Sequence, residues 1–430
     1  MMSKYIKNAA GSLNVTWLDV SKLLFLVFLL YMNWYKEVRG DVSAILYGSV
    51  LLLTISLLLP FGEEDQRHID LTCMTEFYKV LLVFGIYCLI SGVIVSYYKA
   101  LFFSSIITFF CYLVVLFDCC LISRRDGGWE WLLKEMLCVA IICSFQTVLF
   151  GKGMMNGGAI AITMGELNNP NALAHVVLIG IISLASLNKN TLKNIWILIL
   201  LLLLMAYTIL ISGSRKNLIS LGLFLMVWGY SARHRIKFAK DREVKAEDII
   251  ALILVAVVAV CYFISRYVNT DQYNRLLRVF TGEDETTYNG RIGMLKDAFS
   301  IWSAHPIFGI GYDQYKIYSG YGGYSHSTYA EVLSCTGVIG TLILFIPIIR
   351  YLFIMINSIA NTENEVKSKH IMCFAGLIIE LFLGIGQIWI YGITHELFLV
   401  CILGKYDEYY RQYTNEIKSE REGSLCRYIK

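Results

Sequence analysis

Along this chain, uninterrupted apolar runs alternate with short polar breaks, and the two-residue alternation of a half-buried strand is missing from the runs. They fall at 17–35, 43–61, 74–97, 100–122, 129–150, 170–188, 194–212, 216–232, 248–268, 328–352, 370–390 and 391–404. A hydrocarbon slab of roughly 30 Å takes about 20 helical residues to cross, and continuous runs favour helices over the strands of a barrel. The pattern therefore predicts an all-α fold: a polytopic transmembrane helical bundle of about twelve spans forming one integral membrane domain over residues 1–430. The longest polar stretch, 269–327, is predicted as one large loop. Within it, Ile292, Leu295, Phe299 and Trp302 recur at helical spacing over Asn289 to Ala304, and His305-Pro306 stops the pattern. An amphipathic helix on the bilayer surface or over a cavity is expected there.

Composition strengthens the membrane reading. Apolar residues make up 57% of the chain and charged residues 16%, with four prolines, more apolar surface than one soluble core can use. The net charge of +4 is spread over many short loops, so no nucleic-acid surface is expected. Of twelve cysteines, none lies in the large loop, and all but Cys426 fall in or beside apolar runs, which predicts free buried thiols. No Cys-x-x-Cys pair offers a zinc ligand set, and no metal ligands are assigned. The amino end carries Lys4 and Lys7 without a cleavage site after the first run, predicting a retained span. Lysine and arginine set the sidedness. The segment Arg233 to Glu247, with six basic residues, is expected in the cytoplasm; that puts both termini and the tail 405–430 inside, and 269–327 outside.

Three places on the outer side carry candidate chemistry. In Ser212-Gly213-Ser214-Arg215-Lys216-Asn217, Ser214 can cap the next span, and Arg215 and Lys216 occupy its first turn. Two cations at a positive helix end suit a bound anion, with phosphate the natural choice; snorkelling to lipid headgroups is the alternative. In Asn289-Gly290-Arg291 the same reasoning applies if Asn289 caps the amphipathic helix, although a solvated arginine explains that residue equally well. The third place runs from His305 to Gly340. Gly309 and Gly311 suit a tight turn, Gly337 and Gly340 close helix packing, and His326 can orient or deprotonate a hydroxyl. Tyr312, Tyr315, Tyr318, Tyr321 and Tyr324 recur every third residue, as faces for sugar rings or as an interfacial aromatic belt.

With these elements in this order, the chain resembles the O-antigen polymerase and O-antigen ligase family of bacterial surface-polysaccharide enzymes. The resemblance rests on Ser212-Gly213-Ser214-Arg215, on Gly290-Arg291 and the helix ending Ala304-His305-Pro306, on Gly309-Ile310-Gly311, and on His326 leading to Gly337-Val338-Ile339-Gly340. Asn169-Pro170-Asn171 is a further family-like element, with His175 one turn below it. The resemblance implies metal-independent, cofactor-free glycosyl transfer from an undecaprenyl-diphosphate-linked oligosaccharide. It implies that Arg215 and Arg291 bind the diphosphate and that His326 activates the acceptor; Lys216, Asn169, Asn171, His175, Tyr312, Tyr315 and Tyr324 are the candidate substrate-binding residues beside them. The family usually has Asn after the histidine, where this chain has Ser327.

The activity so implied is a polymerase of O-antigen or capsular repeat units in the bacterial inner membrane, with membrane lipid, a chain-length regulator and a flippase as partners. A ligase delivering glycan to lipid A core or protein is the near alternative. A transporter or flippase is another, for which Glu380 in the eleventh run is the best sign. A metal-dependent transferase using Glu283-Asp284-Glu285 is the last.

Overall fold

The computed structural model describes residues 16–39, 43–58, 74–126, 128–156, 159–165, 169–187, 195–236 and 285–428. The apolar run at 248–268, the basic segment after Ile236 and residues 269–284 of the large loop, Glu283 and Asp284 among them, lie outside these. Helices coincide with the remaining eleven apolar runs. They are α1 (Trp17–Leu30), continued by a π-helical turn and α2 (Lys36–Arg39), α3 (Ser43–Leu58), α4 (Glu76–Val95), α5 (Lys99–Asp126) and α6 (Glu130–Phe150). After these come α7 (Pro170–Ser186), α8 (Ile195–Ile211), α9 (Arg215–Ile236), α10 (Glu285–Ala304), α11 (Tyr315–Tyr318), α12 (Thr328–Asn361), α13 (Asn364–Gly384) and α14 (Ile393–Tyr428). Among the described residues, five helices are long and apolar enough to cross a membrane, and three shorter apolar ones join them. The chain is a helical membrane protein at this level; the number twelve rests on the sequence pattern.

The ends of these helices follow local chemistry. Thr16 and Asp19 form a capping box on α1. Asn169 caps α7, its side chain accepting from the Asn171 N–H, and Pro170 fills the first helical position, where its missing N–H costs nothing. Since lipid is as apolar as the core, helices gain from close packing more than from desolvation. Accordingly α7 packs on α6 with Gly180 against Ala140: a Cβ on Gly180 would lie 2.2 Å from the Ala140 Cβ. Leu23, Ile94, Tyr97, Phe150 and Phe353 point outward, as lipid-facing side chains do. Cys88, Cys111, Cys119, Cys120, Cys138, Cys143, Cys335, Cys373 and Cys401 are free thiols.

Three features depart from the sequence reading. A two-stranded antiparallel hairpin, β1 (Lys152–Asn156) with β2 (Ala159–Thr163), follows α6, and the hydropathy pattern gave no sign of it. The amphipathic helix begins at Glu285 instead of Asn289. Asn289 therefore lies inside it and is no cap, and Arg291 stands in the second turn, where the helix-end argument loses force. Finally, α14 does not stop near residue 404 but runs on as helix through the expected tail to Tyr428.

The glycines of the third motif meet one another. α12 breaks at Gly337, whose backbone (φ 65°, ψ −169°) is not helical, and the segment Pro306 to Gly311 lies across the break. The Ile310 and Gly311 N–H groups donate to the Ser334 and Cys335 carbonyls, and the Val338 N–H donates to the Pro306 carbonyl. The Tyr87 hydroxyl takes up the Thr336 carbonyl at 2.7 Å. A Cβ on Gly309 would sit 2.4 Å from the Cys335 carbonyl carbon, and one on Gly337 would sit 2.2 Å from the Ile307 oxygen. Only glycine admits this crossing, and the hydrogen bonds satisfy the backbone groups freed inside an apolar region. A small cluster of Ala298, Ile310, Tyr315, Ala330 and Cys335 then seats α10 on the start of α12.

Candidate functional site

Four helices begin at one place. The amino ends of α7, α9, α12 and α14 meet around the loop 385–392 that joins α13 to α14, stitched by their own polar residues. Ser214 Oγ donates to Asn171 Oδ1 at 2.7 Å. The Asn171 carbonyl accepts from Asn217 Nδ2 at 3.3 Å and from Gln387 Nε2 at 3.2 Å. The Gln387 carbonyl in turn accepts from the Thr328 hydroxyl at 2.7 Å. Lys216 Nζ donates to the Gly386 carbonyl, and Thr394 ties α14 to Asn33, in the π-helical turn after α1, at 2.8 Å. Each helix amino end carries roughly half a positive charge in unpaired N–H groups, so four together favour an anion.

Cations reinforce that field. Arg215 and Lys216 open α9, both half-buried. Arg291 is exposed on α10, which Tyr315 holds through a 2.8 Å hydrogen bond to the Met294 carbonyl. The charges of Arg291 and Lys216 both bear on His326, so Lys216, Arg291 and His326 share one neighbourhood although they are far apart in sequence. Burial, and then these two charges, hold the His326 imidazole below its ordinary pKa of 6.5 and keep it neutral.

His326 owes its place to a strained turn. Its φ of 56° is left-handed, uncommon for a residue other than glycine. Ser325 before it donates its N–H to the buried Glu331 carboxylate at 2.9 Å, which the Tyr391 hydroxyl also meets at 3.2 Å. Ser327 after it is the N-cap of α12, accepting from the Ala330 N–H. Asn and Ser cap helices about equally well, so Ser327 fills the capping place an asparagine there can fill.

The other expected site residues divide. Asn169 and Asn171 stand at the junction. His175 does not: it is buried one turn below, with Nε2 2.6 Å from Glu380 Oε1, and its ring stacks on His395 at 3.6 Å. Tyr312 and Tyr315 are enclosed, their hydroxyls donating to the Ile390 and Met294 carbonyls, so neither ring offers a face to a sugar. Tyr318, Tyr321 and Tyr324 are exposed, with the Lys316 ammonium 5.1 Å from the Tyr324 ring centre. The every-third-residue pattern thus splits into a structural half and an accessible half. Gln387, Thr328, Asn217 and His395 were not singled out as site residues from sequence; their one signal is that polar residues recur at the outer ends of runs sharing one direction.

His175, Glu380 and His395 also bring three ligand-type atoms within 4.8 Å. Their separations of 2.6 and 2.8 Å are hydrogen-bond lengths. Two ligands on one tetrahedral zinc keep about 3.3 Å apart, so the cluster is built as a proton-sharing network.

The cations, the α9 and α12 sides of the polar junction and the glycine crossing fall in one stretch of chain that can be set against known families. Residues 200–345 match the O-antigen ligase family. The matched segment covers most of α8, all of α9 and α10, the tyrosine loop and the first half of α12, and so includes Arg215, Lys216, Arg291, His326 and Gly337. This agrees with the resemblance to O-antigen polymerases and ligases. α7, α13 and α14, which complete the junction, lie outside the match. No curated protein shows a significant match to the chain.

Proposed function

We propose that this protein is a polysaccharide polymerase that transfers an oligosaccharide from an undecaprenyl-diphosphate carrier to the next repeat unit, on the outer face of a bacterial plasma membrane with both termini inside. The observation that carries this reading is the convergence of four helix amino ends with Arg215, Lys216 and Arg291. A diphosphate carries the charge and the acceptor oxygens such a place can hold. It is also the leaving group, so the same cations stabilise the charge that develops as the anomeric bond breaks. Roughly 2.7–4 kcal/mol per well-placed donor is the usual scale of that effect.

In this mechanism the acceptor sugar hydroxyl attacks the anomeric carbon from the face opposite the diphosphate, and the configuration inverts. His326, neutral beside the cations, contacts the acceptor hydroxyl and orients it. Tyr318, Tyr321 and Tyr324 offer ring faces to sugars, and α10 lies over the site as a lid. A flippase to supply the donor and a chain-length regulator are the partners this activity calls for. No metal enters a step.

The matched family carries the description O-antigen ligase, which favours transfer of finished glycan to lipid A core or protein as a second reading. Arg215→Ala and His326→Ala, each expressed at normal level in a strain with a visible polymer ladder, test the site. The ladder collapses to single repeats for a polymerase; full-length chains left on their lipid carrier, unattached to the final acceptor, indicate the ligase. An unchanged ladder in both variants sinks the assignment.

A further inference from the structure

Beneath the junction, outside the O-antigen ligase segment, three ionisable side chains are buried together with no part in holding a diphosphate. Glu380 of α13 is 1% exposed, and each carboxylate oxygen meets one histidine: Oε1 faces His175 Nε2 at 2.6 Å and Oε2 faces His395 Nδ1 at 2.8 Å. The two rings lie nearly parallel, 16° apart with centres at 3.6 Å. A carboxylate cannot donate while ionised, so both histidines donate to it, which fixes their tautomers. With Nδ1–H turned to Glu380, the lone pair of neutral His395 is left on Nε2. His395 stands in the first turn of α14, and its side chain keeps 12% exposure against 2% for His175. The Lys216 charge bears on His395 as it does on His326. Lys216 therefore lies within electrostatic reach of two histidines, and of the two, among the described residues, only His395 has a carboxylate at hydrogen-bond distance.

That difference of geometry sets the two imidazoles apart. The charges bearing on His326 are both positive and oppose an imidazolium. At His395 the Glu380 carboxylate holds Nδ1 at 2.8 Å, the arrangement by which a buried carboxylate orients a histidine base. We propose that His395 is the catalytic base that takes the proton of the acceptor hydroxyl, with Glu380 and His175 as its positioning residues. This rests on the glycosyl-transfer reading above. In the step, the hydroxyl oxygen forms the new bond to the anomeric carbon, and the bond from that carbon to the diphosphate oxygen breaks with its electron pair leaving on the diphosphate. The hydroxyl proton passes to His395 Nε2, and the Nδ1–H of the resulting imidazolium faces the Glu380 carboxylate. The proton is given up to water when the product leaves.

The test uses the full chain in lipid nanodiscs with a lipid-diphosphate-linked oligosaccharide as donor and acceptor, and separately measures binding of the lipid diphosphate alone. His395→Gln is expected to lower kcat by about 10²-fold or more, in the usual range for loss of a general base, with lipid-diphosphate binding and donor KM within twofold of the parent. Glu380→Gln keeps the shape and is expected to lower kcat by about tenfold, again with KM unchanged. Added imidazole restores part of the turnover of His395→Gly. Turnover of His395→Gln within threefold of the parent overturns the proposal, and so does a joint loss of binding and turnover without rescue by imidazole, which marks a structural role. If the His395 variants do not fold, Glu380→Gln decides alone: reduced kcat at constant KM supports the base, unchanged kcat removes it. Arg215→Ala run alongside separates the two readings, since intact diphosphate binding in that variant refutes the donor site and not the base.

Discussion

Among the described residues, helix backbone groups are left open at the Gly337 break and at the helix starts of the polar junction, and the two places are finished differently. At Gly337, within α12, the freed N–H and C=O groups are taken up by the segment 306–311 and by the Tyr87 hydroxyl. At the junction of α7, α9, α12 and α14, polar atoms are left over. Among the described residues, Asn217 Oδ1 and Gln387 Oε1 are buried without a hydrogen-bond partner, and Arg215, Lys216 and Arg291 collect where helix ends are already positive. An orphaned buried acceptor costs about 1–3 kcal/mol, and like charges brought together cost more. The closed interruption is architecture; the open one is where the proposed donor site lies.

The largest effect that can break this contrast is on folding. Gly309→Val puts a branched side chain at a φ of 68° with its Cβ 2.4 Å from the Cys335 carbonyl carbon. The strained backbone and the clash together should cost about 4 kcal/mol. Thermal unfolding in detergent should fall sharply and little folded protein accumulate; a folded, stable variant means the crossing is not the lock described. Arg215→Ala is the converse. The unfolding temperature should hold while kcat drops about 10²–10³-fold, the scale for one missing donor to a developing anion. Equal losses of stability and turnover erase the distinction between the two sites.

How much of this was readable beforehand differs between the two places. The helices follow from hydropathy, because an apolar run of about twenty residues has few other fates. Alternating direction also puts the starts of the runs at 170, 216, 328 and 391 on one side. Which of those starts touch is decided by packing across the whole bundle, so Asn217, Thr328 and Gln387 carried no separate signal, and Asn171 stood out only through the family-like Asn169-Pro170-Asn171. The glycines of the crossing were visible as glycines. That Gly309 and Gly337 make room for each other was not, since close approach is a pairwise property and the sequence displays single residues. His175 misled for the same reason: its spacing from Asn171 is right for one helix face, but Glu380 and His395 on other helices claim it. The hairpin 152–163 was missed because its main-chain pairing leaves no hydropathy period.

A smaller effect sharpens the role of charge at the open junction. His326 is held neutral by burial and by the charges of Arg291 and Lys216, so the acid limb of kcat/KM should lie below pH 6.5. A lowered pKa means the neutral form persists to lower pH, and activity falls only as protonation sets in beneath that value. In Arg291→Ala one opposing charge is gone, the pKa rises toward its ordinary value, and the limb should move to higher pH, with turnover at pH 8 affected less than at pH 6. A limb that stays in place shows that Arg291 does not act on His326 in the working enzyme.

The smallest effect divides the tyrosine array, where the same contrast recurs within one loop. Tyr312 is buried and spends its hydroxyl on the Ile390 carbonyl at 2.6 Å, inside the segment that carries the junction. Tyr324 is exposed, with Lys316 above its ring. Tyr312→Phe leaves a buried carbonyl without its donor and should lower stability by about 1 kcal/mol or a little more, with KM unchanged because its ring faces only protein. Tyr324→Ala removes an open aromatic face, worth about 1 kcal/mol to a stacked partner, and should raise the KM for the oligosaccharide several-fold while leaving the unfolding temperature where it was. If the two variants behave alike in both measurements, burial does not separate structure from recognition along this loop, and the tyrosines act as one aromatic belt.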